Sequence, residues 1–544
     1  MVKLQPALLS VRHLTVSLPK GMDRACAVED ISFDLMAGEI LCIIGESGSG
    51  KSVTAHAAMG LLPPALTITQ GEMRLNDVDM LTASPALLRS LQGKSIAIIF
   101  QDPLSALNPI MTIGKQIAEV MEAHNEGTPQ LRQQKVLSLL AEVGLPEPES
   151  VQHQYPFNLS GGQRQRVMIA MALALDPDVL IADEPTTALD VTTQAQILQL
   201  IRALQTRKQM SVMFITHDFG VVQEIADRVI VMRSGQIVEE GQAEQVLSSP
   251  AHPYTRQLIA AVPHLRHDER ARKDHQPIVL EAVDLCKTYP KSSGFFSRGR
   301  EVRALNNVSF VLRKGQTLGV VGESGSGKSS LGRLLVKLLA ADSGQIRFDG
   351  RDIVPIPEAE FRPLRPLIQM IFQDPFASLN PRHTIGTILS VGPLTHGGMT
   401  TAEVRKKALR LLSLVGLEPS AYERYPHEFS GGQRQRIGIA RALMFDPLLL
   451  VADESVSALD VSVQAQVLAL LEEVQQKTQV SILFITHDLR VASQICDEII
   501  VLYKGDMVET GTPQQVFNAP QHSYTKTLVA AIPGKDAAGL QDFF

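Results

Sequence analysis

The chain has 544 residues, which is too long for one hydrophobic core and predicts several units of roughly 100–200 residues each. Its hydrophobic content of 44% is ordinary for a globular protein, so each unit can bury a core of its own. The formal net charge of −6 gives no indication of a generally basic surface, and no nucleic-acid partner is expected.

The cysteines and the apolar segments exclude further classes of protein. Cys26, Cys42, Cys286 and Cys496 are far apart in the sequence, so the ligand spacing of zinc and iron–sulfur sites is missing. No apolar run approaches the ~18 residues of a membrane-spanning helix, and residues 1–16 lack the apolar core of a signal peptide. We therefore expect a soluble cytoplasmic protein with reduced thiols and with neither zinc nor an iron–sulfur cluster.

The first predicted elements lead into a glycine-rich loop. Residues 8–18 alternate apolar and polar side chains and predict a strand, and residues 40–44 predict a short buried strand. Residues 45–52 then fit G-x-x-x-x-G-K-[ST], and a helix is predicted to leave this loop at residues 55–62. Glycine lets the backbone wrap closely around phosphates, while lysine supplies a cation and a serine hydroxyl can bind Mg²⁺. The predicted ligands of this phosphate loop are Gly45, Ser47, Gly48, Gly50, Lys51 and Ser52.

The middle of the first half is predicted to be mainly helical. Gln101 follows an apolar strand, and its amide is a candidate for the Mg²⁺ and water shell, with an ordinary polar loop residue as the alternative. Residues 133–143 have apolar side chains at three- and four-residue spacing and predict a helix. We expect these helices to form an insertion in the sheet.

A second helix start contains two glycines. Ser160, Gly161, Gly162 and Gln163 precede the helix predicted at residues 164–175. Free N–H groups, the positive end of the helix dipole and a capping hydroxyl make such a start an anion site. Each half therefore has two phosphate-binding ends, which is more than one nucleotide needs on one face.

Two carboxylates end the buried strand predicted at residues 179–182. In a parallel sheet this edge binds ligands, so Asp183 is expected to hold Mg²⁺ and Glu184 to orient or deprotonate the attacking water. The alternative is an ordinary helix N-cap. His217 ends the next predicted strand, at residues 212–215, and is a candidate contact of the γ-phosphate rather than a plain surface histidine.

The second half repeats these motifs. The two phosphate loops lie 277 residues apart, and later motifs recur at a constant spacing of 270 residues. Its strands are predicted at residues 278–285 and 317–321, and its helices at residues 331–339, 402–415 and 434–443. The second set of candidates is Gly322, Ser324, Gly325, Gly327, Lys328, Ser329, Gln373, Ser430, Gly431, Gly432, Gln433, Asp453, Glu454 and His487. Each half is predicted to have an α/β fold with a parallel, helix-covered sheet.

The boundary between the copies is predicted from charge. Residues 266–275 are all charged or histidine except Ala271, so little there favours burial. We expect one domain at residues 1–265, a solvated linker at residues 266–276 and a second domain at residues 277–544.

The full series of motifs resembles that of an ABC-transporter ATPase domain, once in each half. The resemblance covers nearly all of residues 4–264 and 277–534 and includes residues 188–190. It implies two tandem P-loop ABC ATPase domains, each with a parallel-sheet core, an antiparallel β subdomain and a helical subdomain. It also implies ATP and Mg²⁺ as cofactors, with Mg²⁺ held by Ser52, Gln101, Asp183, Ser329, Gln373 and Asp453, and catalysis by Glu184, His217, Gln101, Glu454, His487 and Gln373.

In this family two ATPase domains pack head to tail, and each ATP lies between the phosphate loop of one domain and the Ser-Gly-Gly helix of the other. The resemblance accounts for the surplus of phosphate-binding ends, because Lys51 would work with Ser430 and Lys328 with Ser160.

Some segments resemble a narrower group, the peptide and nickel importer ATPases. Residues 250–255 and 520–525 are similar to their C-terminal extension, and residues 162–173 and 434–443 are similar to the two ATPase subunits of dipeptide/oligopeptide importers. The chain resembles those subunits fused, as in microcin C/peptide and glutathione importers. This implies two permease subunits, an extracytoplasmic solute-binding protein and a peripheral position on the cytoplasmic face of the membrane. The cargo stays open among peptides, nickel or metallophores, glutathione and peptide antibiotics.

The sequence departs from the family pattern at several positions. An aromatic side chain usually stacks on adenine near the first strand, and Tyr289 matches it, whereas Leu18 occupies the equivalent position in the first copy. Because stacking is worth about 1 kcal/mol, the first site is expected to bind ATP more weakly. Ser455 replaces the usual proline, and residues 291–300 are an added loop of unassigned role.

Three other classes of ABC protein are less well supported. Ribosome-acting tandem proteins usually have a long basic linker, and DNA-repair proteins have zinc-binding cysteine clusters. A nucleotide sensor that does not hydrolyse ATP is expected to lose Glu184 or Glu454, and both are present.

Overall fold

The computed structural model describes residues 7–22, 24–187, 189–263, 265, 273–290, 301–396, 398–457 and 459–534. Its contacts divide into two compact units, one built mainly from residues before Pro263 and the other mainly from Pro263–Ala531. Most of the predicted linker and the whole loop at residues 291–300 lie outside the described residues.

The first half begins with strands and then alternates strands with helices. Its strands are β1 (Ala7–Ser17), β2 (Cys26–Met36), β3 (Ile40–Ile44), β4 (Thr67–Leu75), β5 (Val78–Asp79), β6 (Ile96–Ile99), β7 (Val179–Asp183), β8 (Ser211–Ile215), β9 (Arg228–Arg233) and β10 (Gln236–Gln242). Its helices are α1 (Lys51–Ala58), α2 (Pro85–Leu91), α3 (Pro103–Ala106), α4 (Ile113–Ala123), α5 (Pro129–Glu142), α6 (Pro148–Val151), α7 (Gly161–Ala172), α8 (Val191–Lys208), α9 (Phe219–Ile225), α10 (Ala243–Ser248) and α11 (Pro253–Ala260), with a 3₁₀ turn at Pro156–Asn158.

These strands form two sheets. The core sheet has the order β10-β9-β3-β8-β7-β6, in which all neighbours are parallel except the β9–β10 pair. The second sheet, β2-β1-β4-β5, is antiparallel. Since parallel strands end at one edge, the segments that follow β3, β6, β7 and β8 lie on the same side of the core sheet.

The second half has the same plan. Its strands are β11 (Ile278–Tyr289), β12 (Val302–Arg313), β13 (Thr317–Val321), β14 (Ser343–Phe348), β15 (Arg351–Asp352), β16 (Ile368–Ile371), β17 (Leu449–Asp453), β18 (Ser481–Thr486), β19 (Glu498–Tyr503) and β20 (Asp506–Gly511). Its helices are α12 (Lys328–Leu335), α13 (Glu358–Phe361), α14 (Pro375–Ser378), α15 (Ile385–His396), α16 (Thr401–Leu414), α17 (Gly431–Leu443), α18 (Val461–Thr478), α19 (Leu489–Ile495), α20 (Pro513–Asn518) and α21 (Ser523–Ala530), with 3₁₀ turns at Arg362–Leu367, Pro419–Glu423 and Pro426–Glu428. Its sheets have the orders β16-β17-β18-β13-β19-β20 and β12-β11-β14-β15. The predicted fold, with a parallel core, an antiparallel β subdomain and a helical subdomain in each half, is confirmed.

The core sheet of the first half is buried on both faces. All residues of β3, β7 and β8 are buried. Along β3, Ile40, Cys42 and Ile44 join the hydrophobic core that includes the helical insertion, whereas Leu41 and Ile43 join the core beneath the antiparallel sheet. This alternation follows from the two-residue period of a strand and explains why these strands read as continuous apolar runs.

The predicted helix bounds after the phosphate loops are wrong by a few residues. Helix α1 begins at Lys51 instead of residue 55, because Gly50 adopts a left-handed φ of 105° as the N-cap and the helix starts immediately. A Cβ on Gly50 would come within 2.7 Å of the Ala27 carbonyl oxygen, so glycine is required there. Gly327, with a φ of 108°, starts α12 at Lys328 in the same way.

The helical insertions begin slightly earlier than their apolar periodicity predicts. Helix α5 starts at Pro129 because the Thr128 hydroxyl caps it, and α16 starts at Thr401 with a capping box between Thr400 and Glu403. Across the part of the chain that the structure describes, no helix combines the length and the apolar character needed to cross a membrane.

Candidate functional site

The phosphate loop of the first half surrounds a buried lysine. The Lys51 side chain lies inside the loop, with the residue only 5% exposed, and its Nζ donates to the carbonyl oxygens of Gly45 at 2.7 Å and Glu46 at 2.9 Å. Gly48 and Gly50 have φ values of 77° and 105°, a left-handed conformation that glycine adopts without strain. Two backbone carbonyls therefore hold the Lys51 ammonium inside the loop, where it can supply the positive charge that a phosphate site requires.

A hydroxyl and a carboxylate meet beside this loop. Ser52, the second residue of α1, donates from Oγ to Oδ1 of Asp183 at 3.0 Å. Asp183 is the last residue of β7 and is 4% exposed. Burial, partly offset by the bond from Ser52, raises the pKa of Asp183. A hydroxyl and a buried carboxylate form the hard oxygen donor set that Mg²⁺ prefers, so these residues fit that ion.

Glu184 follows directly and collects donors from its own loop and from two other segments. Its carboxylate accepts from Gln101 Nε2 at 2.9 Å and from Thr187 Oγ1 at 2.9 Å, and His217 Nδ1 lies 3.3 Å from its Oε1. Gln101 follows β6 and His217 follows β8, the two neighbours of β7 in the sheet. The structure thus brings together three residues that the sequence placed at the ends of separate strands.

These contacts set the charge and the backbone conformation of Glu184. Burial acts to raise the pKa of Glu184, but the hydrogen bond and charge of His217 and the bond from Thr187 outweigh it and lower the pKa to about 2. The residue has a φ of 46°, a left-handed conformation that costs about 1–2 kcal/mol outside glycine. Glu454, its equivalent, also has a φ of 46°. Such strain at the end of a sheet strand is typical of functional sites.

The second half contains an equivalent arrangement. Lys328 Nζ donates to the carbonyl oxygens of Gly322 at 2.7 Å and Glu323 at 2.9 Å. Ser329 Oγ donates to Asp453 Oδ1 at 3.1 Å, and burial raises the pKa of Asp453.

Glu454 has the same neighbours as Glu184 with one exception. Its carboxylate accepts from Gln373 Nε2 at 2.7 Å and lies 3.6 Å from His487 Nδ1. Burial opposes the shift, yet the pKa of Glu454 is lowered by His487. Ser457 replaces Thr187, and its hydroxyl donates to the Glu454 backbone carbonyl at 2.9 Å instead of to the carboxylate.

The two Ser-Gly-Gly segments begin helices, as predicted. The helices start at Gly161 and Gly431, three residues before the predicted starts at residues 164 and 434. Ser160 caps α7 through a capping box: its Oγ accepts from Gln163 N at 3.3 Å, and its own N–H donates to Gln163 Oε1 at 2.9 Å. Ser430 forms the same pair of bonds with Gln433, at 3.3 Å and 3.0 Å.

The second glycine of each segment is needed for packing. A Cβ on Gly162 would meet Thr193 Cγ2 at 2.5 Å, and one on Gly432 would overlap Val463. The helix start therefore lies directly against the next long helix, α8 or α18.

Tyr289 and Leu18 differ in their surroundings. The Tyr289 hydroxyl lies 3.3 Å from Ser330 Oγ, next to the first turn of α12, and Lys287 Nζ lies 5.8 Å from the ring centroid. Leu18 is half-buried beyond the end of β1, and its N–H donates to the Ala25 carbonyl at 2.8 Å. Of these two equivalent positions, Tyr289 places an aromatic ring beside the helix that follows the phosphate loop, and Leu18 does not.

The sequence analysis missed several contacts of the site. Thr187 reaches Glu184, the Arg24 guanidinium donates to the Gly48 carbonyl, and the Tyr254 hydroxyl accepts from Glu46 N at 3.4 Å. Thr187 follows Glu184 by three residues, so a donor to the carboxylate could have been sought there. Nothing local in the sequence relates Arg24 or Tyr254 to the loop.

In each half this geometry can hold a triphosphate on the loop, a divalent cation on the serine–aspartate pair and a water molecule beside the glutamate. All three groups are needed for phosphoryl transfer to water, which depends on positioning and on charge stabilisation.

Comparisons with known proteins agree with this chemistry. The family described as "ABC transporter" matches residues 28–187 and 305–457. The family described as "Oligopeptide/dipeptide transporter, C-terminal region" matches residues 238–291 and 508–541.

Similar proteins cover almost the whole chain. The chain is 48% identical over 528 residues to the peptidoglycan transport ATP-binding protein YejF of Agrobacterium fabrum, with 96% of each chain covered. It is 46% identical over 556 residues to the glutathione import ATP-binding protein GsiA of Shigella boydii, with 96% of this chain and 89% of the relative covered. GsiA of Escherichia coli strain K12 is 45% identical over 557 residues.

Proposed function

Since the chain belongs to the ABC transporter ATPase family, we propose that it hydrolyses ATP to power the import of a short peptide or a peptide-derived solute through membrane permease partners. The observation that carries this proposal is the same constellation in both halves: a buried lysine in a phosphate loop, a serine–aspartate pair and a glutamate with glutamine and histidine beside it. The relatives are named for peptidoglycan and glutathione transport, and both of those solutes contain short peptides.

The site residues are assigned on this basis. The proposed ATP ligands are Gly45, Ser47, Gly48, Gly50, Lys51, Ser52, Ser160, Gly161, Gly162, Gln163, Tyr289, Gly322, Ser324, Gly325, Gly327, Lys328, Ser329, Ser430, Gly431, Gly432 and Gln433. The proposed Mg²⁺ ligands are Ser52, Gln101, Asp183, Ser329, Gln373 and Asp453. Mg²⁺, when bound there, supplies charge neutralisation at the β- and γ-phosphate oxygens. The proposed catalytic residues are Glu184, His217, Gln101, Glu454, His487 and Gln373.

The role of Glu184 follows from its charge state. A carboxylate whose pKa is lowered in this way is ionised at neutral pH. Glu184 therefore orients or deprotonates the attacking water, while His217 and Gln101 keep the carboxylate in place. Glu454 acts in the same way with His487 and Gln373.

We further propose that the two ATP molecules are bound in composite sites. Lys51 and Ser430 hold one nucleotide and Lys328 and Ser160 hold the other, so that each γ-phosphate joins two domains. ATP then favours a closed arrangement, and hydrolysis removes the contacts and favours opening. The domains are residues 1–265 and 277–544, and residues 266–276 are the linker.

The proposed partners follow from the family and from the transport and import roles in the names of the relatives. Two permease subunits form the path through the membrane, a solute-binding protein delivers the cargo on the outer side, and this chain binds the permeases at the cytoplasmic face. A docking surface near Gln101 is supported by two exposed apolar residues, Leu104 and Ile110, which are 58% and 83% exposed. Burial of such side chains favours a stable interface.

An uptake assay tests the function and this docking surface together. Deleting the gene in its host is expected to abolish uptake of labelled glutathione or of a labelled murein peptide, and the wild-type gene should restore it. Ile110→Asp should reduce uptake about 10-fold or more, because a charge replaces an apolar contact worth about 1.5–3 kcal/mol. ATP binding should be unchanged, because Ile110 is outside the nucleotide site.

Leu131→Asp is the matched control for that assay. Leu131 is also exposed, at 57%, but lies in the first turn of α5. The Leu131→Asp variant should transport the labelled peptides at the wild-type rate. Normal uptake of both peptides after deletion would refute the peptide importer, and normal uptake by Ile110→Asp would refute the docking surface alone.

The difference between Leu18 and Tyr289 leads to a separate prediction. Tyr289→Leu should weaken ATP binding at the second phosphate loop about 5-fold, the equivalent of roughly 1 kcal/mol of stacking. Leu18→Tyr should strengthen binding at the first loop by a similar factor. The dissociation constant can be measured with a fluorescent ATP analogue after the other loop has been disabled by Lys51→Ala or Lys328→Ala.

Tyr289→Phe separates stacking from hydrogen bonding in the same titration. It keeps the ring and removes the hydroxyl that lies near Ser330, so the affinity should stay close to that of the wild type. A loss in Tyr289→Phe equal to that in Tyr289→Leu would show that the ring does not stack on adenine.

A further inference from the structure

Each half has a tyrosine that reaches the phosphate loop from the C-terminal helices and has no role in the function proposed above. Tyr254, the second residue of α11, accepts a hydrogen bond at its hydroxyl from the backbone N–H of Glu46 at 3.4 Å. Tyr524, the second residue of α21, accepts from the backbone N–H of Glu323 at 3.0 Å. Glu46 and Glu323 are the second residues of the two loops, so the same contact occurs twice.

The start of α11 is fixed to the edge of the core sheet. The Glu239 carboxylate on β10 accepts from the N–H groups of Ala251 at 2.7 Å and His252 at 3.1 Å. His252 then caps the helix, because its Nδ1 accepts from Tyr254 N at 3.1 Å. In the second half Glu509 and His522 make equivalent bonds before Tyr524. The tyrosine backbone is therefore held relative to the sheet by several bonds.

The tyrosine rings are also held from a second side. The Arg233 guanidinium lies 4.7 Å from the centroid of the Tyr254 ring, and the Tyr503 ring lies 4.1 Å from that of Tyr524. Arg233 and Tyr503 are the last residues of β9 and β19, the parallel neighbours of the strands that lead into the loops. Tyr254 is only 4% exposed and Tyr524 only 9%. Each ring thus packs against the end of the neighbouring strand while its hydroxyl reaches the loop.

The loop residue whose N–H donates to the tyrosine also positions the lysine through its carbonyl. The Glu46 carbonyl accepts from Ser49 N at 3.1 Å and from Lys51 Nζ at 2.9 Å. In the second half the Glu323 carbonyl accepts from Ser326 N at 3.1 Å and from Lys328 Nζ at 2.9 Å. The N–H and the carbonyl of one residue are therefore both bonded, the first to the tyrosine and the second to the turn and the lysine.

The hydroxyl is suited to this task at neutral pH. Burial raises the pKa of Tyr254 to about 12, although the hydrogen bond from the Glu46 N–H acts to lower it. The phenol stays neutral, so its oxygen can accept from the backbone N–H without placing a negative charge beside a site for phosphates.

We propose that Tyr254 and Tyr524 are positioning residues for ATP binding, each holding the phosphate loop of its own half in the conformation that receives the phosphates. This proposal rests on the proposed ATPase function and makes the C-terminal helices part of the nucleotide site. The energy for ordering the loop is then contributed by the folded protein before ATP arrives, which is the general benefit of preorganisation.

The test is Tyr254→Phe, Tyr524→Phe and the double variant in the full chain. Loss of one hydrogen bond to the loop should raise the KM for ATP about 3- to 10-fold at the affected site, with little change in kcat, because the loop binds ground and transition states alike. The thermal unfolding temperature should be unchanged, since each ring keeps its packing. Tyr155→Phe removes an exposed hydroxyl of the same type and should change neither quantity.

A variant that removes the N–H donor of Glu46 separates the loss of this hydrogen bond from other effects of Tyr254→Phe. Glu46→Pro removes the N–H that Tyr254 accepts, and Glu46→Ala keeps it. In the Glu46→Pro chain, Tyr254→Phe should have no further effect on KM, whereas in the Glu46→Ala chain it should have its full effect. Equal effects of Tyr254→Phe in both chains, or an unfolding temperature that falls while KM is unchanged, would overturn the proposal. Failure of the ATPase function itself would appear differently, as absent ATP turnover in the wild type.

Discussion

Replacing both Glu184 and Glu454 by glutamine is expected to reduce ATP turnover by about 10²–10⁴-fold while ATP binding is retained. Glutamine has nearly the same shape but lacks the negative charge and one of the two oxygens that accept from Gln101, Thr187 and His217. The lysine cradle and the serine–aspartate pair involve other residues and stay intact. The variant should therefore accumulate bound ATP instead of ADP.

Phosphate release and retained nucleotide are the measurements for this variant, made on the chain in complex with its permeases. Glu244→Gln is the matched control, since Glu244 is exposed on α10 and the second half already has Gln514 at the equivalent position. The control should hydrolyse ATP at the wild-type rate. Sustained turnover in the double variant would refute the role assigned to both glutamates.

The pairing of residues in the two composite sites should produce a second large effect. In the Glu184→Gln, Glu454→Gln background, Lys51→Ala combined with Ser430→Arg should leave one slowly exchanging ATP per chain, because both changes affect the same site. Lys51→Ala combined with Ser160→Arg should leave none, because the two changes then affect different sites. Retention of labelled ATP after rapid washing distinguishes one nucleotide from none.

The reciprocal pairs control for the severity of each substitution. Lys328→Ala with Ser160→Arg should retain one ATP, and Lys328→Ala with Ser430→Arg should retain none. The four double variants contain the same kinds of change in the same numbers, so only the pairing differs. The opposite pattern, with retention when lysine and serine come from one half, would show that each domain completes its own site.

The sequence was sufficient for the features that depend on local backbone chemistry. The phosphate loops are recognisable because Gly48 and Gly50 must adopt positive φ values and because lysine and serine follow at fixed positions. The starts of α7 and α17 are recognisable because a serine and the glutamine three residues later form a capping box, with two glycines between them. Duplication of every motif strengthened these predictions, since chance does not repeat a series in order.

Other features were decided only by the tertiary structure. The order of the core sheet places β8 between β3 and β7 and β7 between β8 and β6, and this order brings Gln101 and His217 to the same carboxylate. The start of α1 was predicted at residue 55 instead of Lys51, because apolar periodicity contains no information about the N-cap at Gly50. Glu46 and Tyr254 are 208 residues apart in the sequence, and no local pattern relates them. The physical reason is that local conformation depends on neighbouring residues, whereas contacts between distant segments depend on which strands pair and which faces are buried together.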